Sequence, residues 1–223
     1  LVWLDKQTCQ LPAYFHAEEL EQAQTPSRRA VLLSALGQLH SNDPDPSEAI
    51  AYLQTNLDES EKQPSMQLLA RLLARAGRND ELLAVTELEI EQTASPARRA
   101  KLMHRAGELA LAEDDPLRAR ELFEGALEAV DDHLPSLEAL GKLLRDIEDW
   151  EGLTELLRKE LLYANDRTRQ VGLQLEVANL LSSRLGRDAD ALEELQALLR
   201  RWPRHLPALH AAERIATRLG DDA

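Results

Sequence analysis

Thr25-Pro26-Ser27-Arg28-Arg29-Ala30 comes back seventy positions later as Ser95-Pro96-Ala97-Arg98-Arg99-Ala100. A worn third copy reads Asp166-Arg167-Thr168-Arg169-Gln170. A phrase that returns at a fixed interval marks a repeat architecture, in which each unit buries its apolar side against the next. Each copy also reads as a helix start. Thr25, Ser95 and Asp166 are residue types whose side-chain oxygen caps a first turn, and Pro26 and Pro96 stand where no N–H is needed. The paired arginines are expected to form salt bridges to the preceding helices.

The rest of the chain agrees with a helical reading. Its 223 residues are 43% hydrophobic and only 4% aromatic. Ala, Leu, Glu and Arg dominate, while Val, Ile, Thr and Gly are sparse, which favours helix over strand. Apolar residues recur at helical spacing between Pro, Gly and Asp punctuation, and no stretch alternates like a strand. The spacing predicts about eleven or twelve helices. The first runs from about Pro12 to Gln22, a further one opens at Pro64, and the last covers roughly 205–219.

The formal net charge is -14, so nucleic acid and anionic lipid are excluded as partners unless cations gather on one face. Only five lysines occur, so Arg supplies most positive charge, a usage that fits a GC-rich bacterial genome. No apolar run approaches the length of a membrane span, so no membrane insertion is expected. No signal peptide is visible. Cys9 is the only cysteine, which rules out an intrachain disulfide and leaves the redox compartment unread; a soluble, cytoplasmic chain is the expectation.

The pattern resembles the tetratricopeptide repeat, a 34-residue pair of antiparallel helices. That family wants Leu-Gly early in its first helix, then Ala, an aromatic or Leu, and Ala in its second. Leu36-Gly37 is followed by Ala49, Leu53 and Leu57. Ala106-Gly107 is followed by Ala119, Phe123 and Ala126. Leu140-Gly141 is followed by Leu153 and Leu157. Ala70 and Ala178 stand where the small residue of the first helix belongs. The resemblance covers roughly 26–220, with degenerate individual repeats. It implies an all-α, right-handed α-solenoid, a superhelix of antiparallel helix pairs. Small residues are expected where the two helices of a pair cross closely, because a large side chain would force them apart.

Alternate small-residue anchors lie 70 or 71 apart: Gly37, Gly107, Ala178, and Ala70, Gly141, Ala212. The duplicated unit is therefore a pair of repeats. Residues 1–223 are expected to form one solenoid domain. Residues 1–25 end a preceding repeat; 26–63, 64–94, 95–133, 134–165 and 166–204 are repeats; 205–223 is a C-terminal helix. Both ends stop inside the pattern and the chain starts at Leu1, so a fragment of a longer array is expected.

No catalytic constellation emerges, and an enzyme is not expected. The six histidines form no i, i+4 pair around a Glu, and Cys9 has no partner for a metal site. The nine glycines form no phosphate loop. Asp43-Pro44-Asp45 and Asp114-Asp115 look like fragments of a calcium loop without its Gly and closing Glu, and read better as helix caps. No cofactor is expected. Trp150 is expected in the core.

In tetratricopeptide arrays the first helix of each pair lines the concave surface. Carried over by position, this assigns Arg71 and Arg75; Lys101, His104 and Arg105; Lys142 and Arg145; and Asn179 to that surface. Six cations there face Glu108, Glu138 and Asp146. Clustered cations attract anionic partners, and Arg grips carboxylates with two hydrogen bonds. Two readings stay open: a groove for an acidic or C-terminal segment of another protein, or a solvated face whose charges pair internally. The family's chaperone-tail clamp is incomplete, since Lys101 and Arg105 match but Ser34, Gln38 and Leu68 replace its other residues. The expectation is a non-enzymatic protein-interaction scaffold with a protein or peptide partner. The alternative is a regulatory or sensor arm of a larger enzyme or transcription regulator. Oligomeric state is not readable.

Overall fold

A computed structural model describes residues 14–59 and 65–221. The expected beginnings at Pro12 and Pro64, and Trp3 and Cys9, lie outside the described residues. Within them there are twelve α-helices and no strand. Helix α1 covers 14–22. It is followed by α2 (Pro26–Leu39), α3 (Ser47–Glu59), α4 (Met66–Ala76), α5 (Asn79–Gln92), α6 (Pro96–Ala112) and α7 (Pro116–Ala129). Then come α8 (Leu134–Asp146), α9 (Trp150–Tyr163), α10 (Arg167–Ser183), α11 (Asp188–Arg201) and α12 (Leu206–Asp221). The chain divides into two compact units, Leu1–Ala119 and Arg120–Ala223.

Local chemistry explains the helix starts. Ser95 Oγ accepts from the Arg98 N–H at 3.4 Å, Asp166 Oδ2 from the Arg169 N–H at 2.8 Å, and Asp149 Oδ1 from the Gly152 N–H at 2.9 Å. These contacts satisfy first-turn donors that have no partner in the helix. Thr25 departs from expectation: it holds the cap position, but its side chain makes no cap bond, so Pro26 alone defines that start. Asn79 likewise does not cap α5; it is the first helical residue.

The turns inside helix pairs share one device. A single left-handed residue reverses the chain at Gly77 (φ +69°), Asp114 (φ +61°), Glu148 (φ +57°) and Gly186 (φ +65°). Glycine is the residue that takes this conformation without a Cβ penalty. The α2–α3 turn is different, passing through a short 3₁₀ turn at His40–Asn42.

Packing follows chain order within each unit. In the first, α2 packs on α3, α3 on α4, α4 on α5 and α5 on α6; in the second, α8 packs on α9, α9 on α10, α10 on α11 and α11 on α12. The residue expected at each pair's crossing in the second helix is buried every time: Ala49, Leu82, Ala119, Leu153 and Ala191. The small residues opposite, Gly37, Ala70, Gly107, Gly141 and Ala178, are buried too. How tightly they are held differs. A Cβ on Gly37 would stand 2.5 Å from Leu53, so the α2–α3 crossing needs glycine. A Cβ on Gly141 would meet nothing closer than 3.5 Å. The expected close approach therefore fails in the α8–α9 pair, where Leu153 occupies the crossing position that Ala49 fills in the first.

The opening phrase works as a clamp. Arg28 pairs with Glu19, Arg98 with Glu89, and Arg169 Nε donates to Glu160 at 2.7 Å, each pair nine residues apart. The next residue grips a backbone carbonyl of the chain just left behind. Arg29 donates to Leu20 O at 3.4 Å, Arg99 to Thr93 O at 2.9 Å, and Gln170 to Ala164 O at 2.5 Å. The expected bridges to the preceding helix are thus present in all three copies. Two buried threonines satisfy their hydroxyls within their own helices. Thr86 and Thr154 return their hydroxyls to Leu82 O at 2.7 Å and Trp150 O at 2.8 Å. Trp150 is half-buried rather than fully internal, with the Arg184 guanidinium 4.7 Å over its ring.

Candidate functional site

The first unit presents cations from two first helices. On α4, the buried stripe is Met66, Leu69, Ala70, Leu72 and Leu73, which leaves Arg71 and Arg75, one turn apart, on the exposed face. On α6, Ala100, Ala106, Gly107 and Ala110 are buried, and Lys101 and Arg105, again one turn apart, are exposed with Glu108. His104 is half-buried beside them, its Nε2 3.7 Å from Glu108.

These cations are not equivalent. Arg75 donates to Ser41 O at 3.0 Å and Asp43 O at 2.8 Å, and so ties α4 to the turn between α2 and α3. It serves the frame rather than the open surface. Arg71, Lys101 and Arg105 have no ion-pair partner among the described residues. Many other arginines are committed: Arg78 to Glu81, Arg118 to Glu87, Arg158 to Glu194, Arg187 to Asp190, Arg218 to Asp188.

The second unit shows the same division. Arg145 is held by Glu176 at 2.7 Å, across from α8 to α10. Lys142 is exposed and has no ion-pair partner among the described residues. Asn179 is exposed on α10, and its carbonyl accepts from the Ser183 hydroxyl at 2.6 Å. A pocket of about 280 Å³ lies between α8, α9 and α10, lined by Glu138, Gly141, Arg145, Glu160, Arg169 and Glu176. Both of its arginines are paired with carboxylates of its own wall, and Glu138 is left over. Arg75 and Arg145 are internally engaged, while Arg71, Lys101, Arg105 and Lys142 stand open.

Metal-ligating side chains converge at one place among the described residues: His40 Nδ1, Asp43 and Glu48, with donor atoms within 4.8 Å of one another. His40 Nδ1 is 2.8 Å from Asp43 Oδ2, and its ring stacks on Tyr52. Both carboxylates are exposed, and the contact is the ordinary pairing of a histidine at a helix end with the residue three ahead. His133 and Ser136 also approach, at 2.8 Å, but the Ser136 hydroxyl is fully buried at the start of α8, where no substrate reaches it. No helix among the described residues is long and apolar enough to cross a membrane.

No protein-family model matches the chain, and no curated protein matches it. Solved structures do. A Naa15/Naa10 assembly bound to HypK-THB matches with a TM-score of 0.55 at 16% identity, over 97% of this chain and 32% of that one. The chain thus spans about a third of that neighbour's length. A tetratricopeptide repeat protein from Parabacteroides merdae matches at TM-score 0.47 and 14% identity, covering 89% of this chain and 75% of that one. Residues 1–338 of Acl4, the assembly chaperone of RpL4, match at TM-score 0.41 and 16% identity, covering 99% and 94%. At such identity the likeness is one of fold. In fold the chain is an all-α array of helix pairs resembling tetratricopeptide repeats.

Proposed function

We propose that this tetratricopeptide-like array is a protein-interaction scaffold that binds an acidic segment of a partner along the exposed faces of its first helices. The observation that carries this reading is the set of open cations. Arg71, Lys101 and Arg105 lack ion-pair partners among the described residues of a protein whose net charge is -14. Acidic side chains are abundant, so cations left unpaired on one face hold a local positive potential against the overall field. Guanidinium groups one helical turn from the next cation suit carboxylates spaced along a peptide. Lys142 extends the same chemistry in the second unit. Two structural neighbours are solved or described with protein partners, HypK-THB and RpL4, which is consistent with a binding role.

The test uses a fluorescein-labelled peptide of alternating Glu and Ser, free at its C-terminus, and the sequence-matched Lys/Ser peptide. Anisotropy is expected to rise with the acidic peptide only. Arg71→Glu with Arg105→Glu is expected to weaken binding at least tenfold, about 1.4 kcal/mol. Arg145→Glu, whose native charge is already matched, is expected to matter less. Equal binding of the two peptides, or a double variant that binds like the parent, rejects the reading.

A further inference from the structure

The second unit holds a larger cleft on its other helices. It measures about 490 Å³ and lies between α7 (from Arg120 onward), α8 and α9. Its floor is apolar: Leu137, Leu140 and Leu144 of α8, with Leu156 of α9, all otherwise buried. At its lip stand Leu162, 79% exposed, and Tyr163. The floor leucines are each only 1–6% exposed, so the apolar surface offered to a partner lies at the mouth of the cleft, led by Leu162, in the manner of helix-in-groove recognition.

The walls explain why nothing in the chain closes this cleft. Between α9 and α11 the gap is spanned by Arg158 reaching Glu194 at 2.7 Å. Between α7 and α9 acids face acids: Glu128 and Asp131 on one wall, Glu155 on the other. Arg120 is used up at the far end, held by Glu124 at 2.8 Å and Asp149 at 2.7 Å. Asp131 is tied to the Tyr163 hydroxyl, and that bond pushes the phenol's pKa above its ordinary value. Lys159 is the one remaining cation in the lining among the described residues.

We infer that this cleft is a second docking surface, distinct from the open cations of the first helices, and that its occupant is a basic amphipathic helix of another protein. Charge selects the occupant: a trough walled by Glu128, Asp131 and Glu155 is complementary to Lys and Arg flanking an apolar stripe. Size agrees. From Arg120 to Ala129 the α7 wall is about 14 Å long, between two and three turns of a partner helix. One or two large apolar side chains at i, i+4 would enter over Leu137, Leu140 and Leu144.

The test selects a random 12-residue peptide display library on the whole chain, with counter-selection on Leu162→Asp. Helical circular dichroism verifies that the variant is folded. Enriched peptides are expected to be basic, with apolar residues at i, i+3 or i+4. Glu128→Lys with Glu155→Lys is expected to weaken the best of them at least tenfold, and Arg71→Glu with Arg105→Glu to leave it unchanged. Failure to recover a peptide that discriminates against Leu162→Asp overturns the inference, as do acidic enriched sequences. So does concentration-dependent self-association that Leu162→Asp abolishes, which would make the occupant a second copy.

Discussion

Two glycines at equivalent positions do different work. Gly37 sits under Leu53, which is 1% exposed and has nowhere to retreat, while Gly141 has room for a methyl group. Gly37→Ala is therefore expected to lower stability by about 1–3 kcal/mol through overpacking. Gly141→Ala is expected to raise it by up to about 1 kcal/mol, since alanine is the better helix former. Thermal melts of the two variants decide this, and equal shifts would refute it. Asp149 supports a second expectation at this scale. The N–H of Gly152 and the Arg120 guanidinium hold its carboxyl below the ordinary carboxylate range. A depressed folded pKa adds stability that is present above the unfolded value and is lost as pH falls through the folded one. Asp149→Asn keeps an oxygen for the cap but removes the charge. It is expected to melt below the parent at pH 7, with the gap narrowing as pH drops below about 4. A gap that stays constant from pH 7 to pH 3 contradicts the assignment.

The helix start is the element around which the repeat is built. Proline and cap residue set where the helix begins; the arginine after them anchors it to the helix before. The three anchors differ in burial. Side-chain exposure is 45% for Glu19, 12% for Glu89 and 10% for Glu160. An exposed pair contributes little, whereas removing one partner of a buried pair strands the other charge. Arg28→Ala is thus expected to cost under about 1 kcal/mol, and Arg98→Ala and Arg169→Ala more, about 1–2 kcal/mol each, because each leaves a nearly covered carboxylate without its donor. Chemical denaturation of the three variants provides the ranking, and a flat series would contradict it. The alignment of Glu19, Glu89 and Glu160 was visible in the sequence at the repeat interval. Their pairing with the arginines nine residues on was legible only as a general expectation of bridges, because burial is a property of the packed helices.

Over the whole molecule, the charge of -14 sets which partners are reachable. Duplex DNA is expected to cause no mobility shift at low salt; a salt-sensitive shift would mean that the open cations outweigh the acidic exterior. The six cations assigned by position are exposed, but they do not behave as one set. Arg75 and Arg145 are drawn into contacts with Asp43 O and Glu176, which lie 32 and 31 residues away in sequence, and no local pattern announces such partners. The cleft over Leu137, Leu140 and Leu144 went unseen for a related reason. Those leucines have the spacing of any core stripe and are buried like one; the trough above them is shaped by the spacing of α7, α8 and α9.

Helical spacing, prolines, caps and the 70- to 71-residue interval by themselves determined the helices and the repeat order, because these depend on neighbours within a turn or on a duplicated phrase. The tertiary structure alone decided which crossing is tight enough to demand glycine, which arginines are spoken for, and where a cleft remains between helices. Each of those is a matter of distance between residues on different helices, sixteen positions apart for Gly37 and Leu53 and thirty-one for Arg145 and Glu176, set by how helix pairs pack and not by any local preference of the chain.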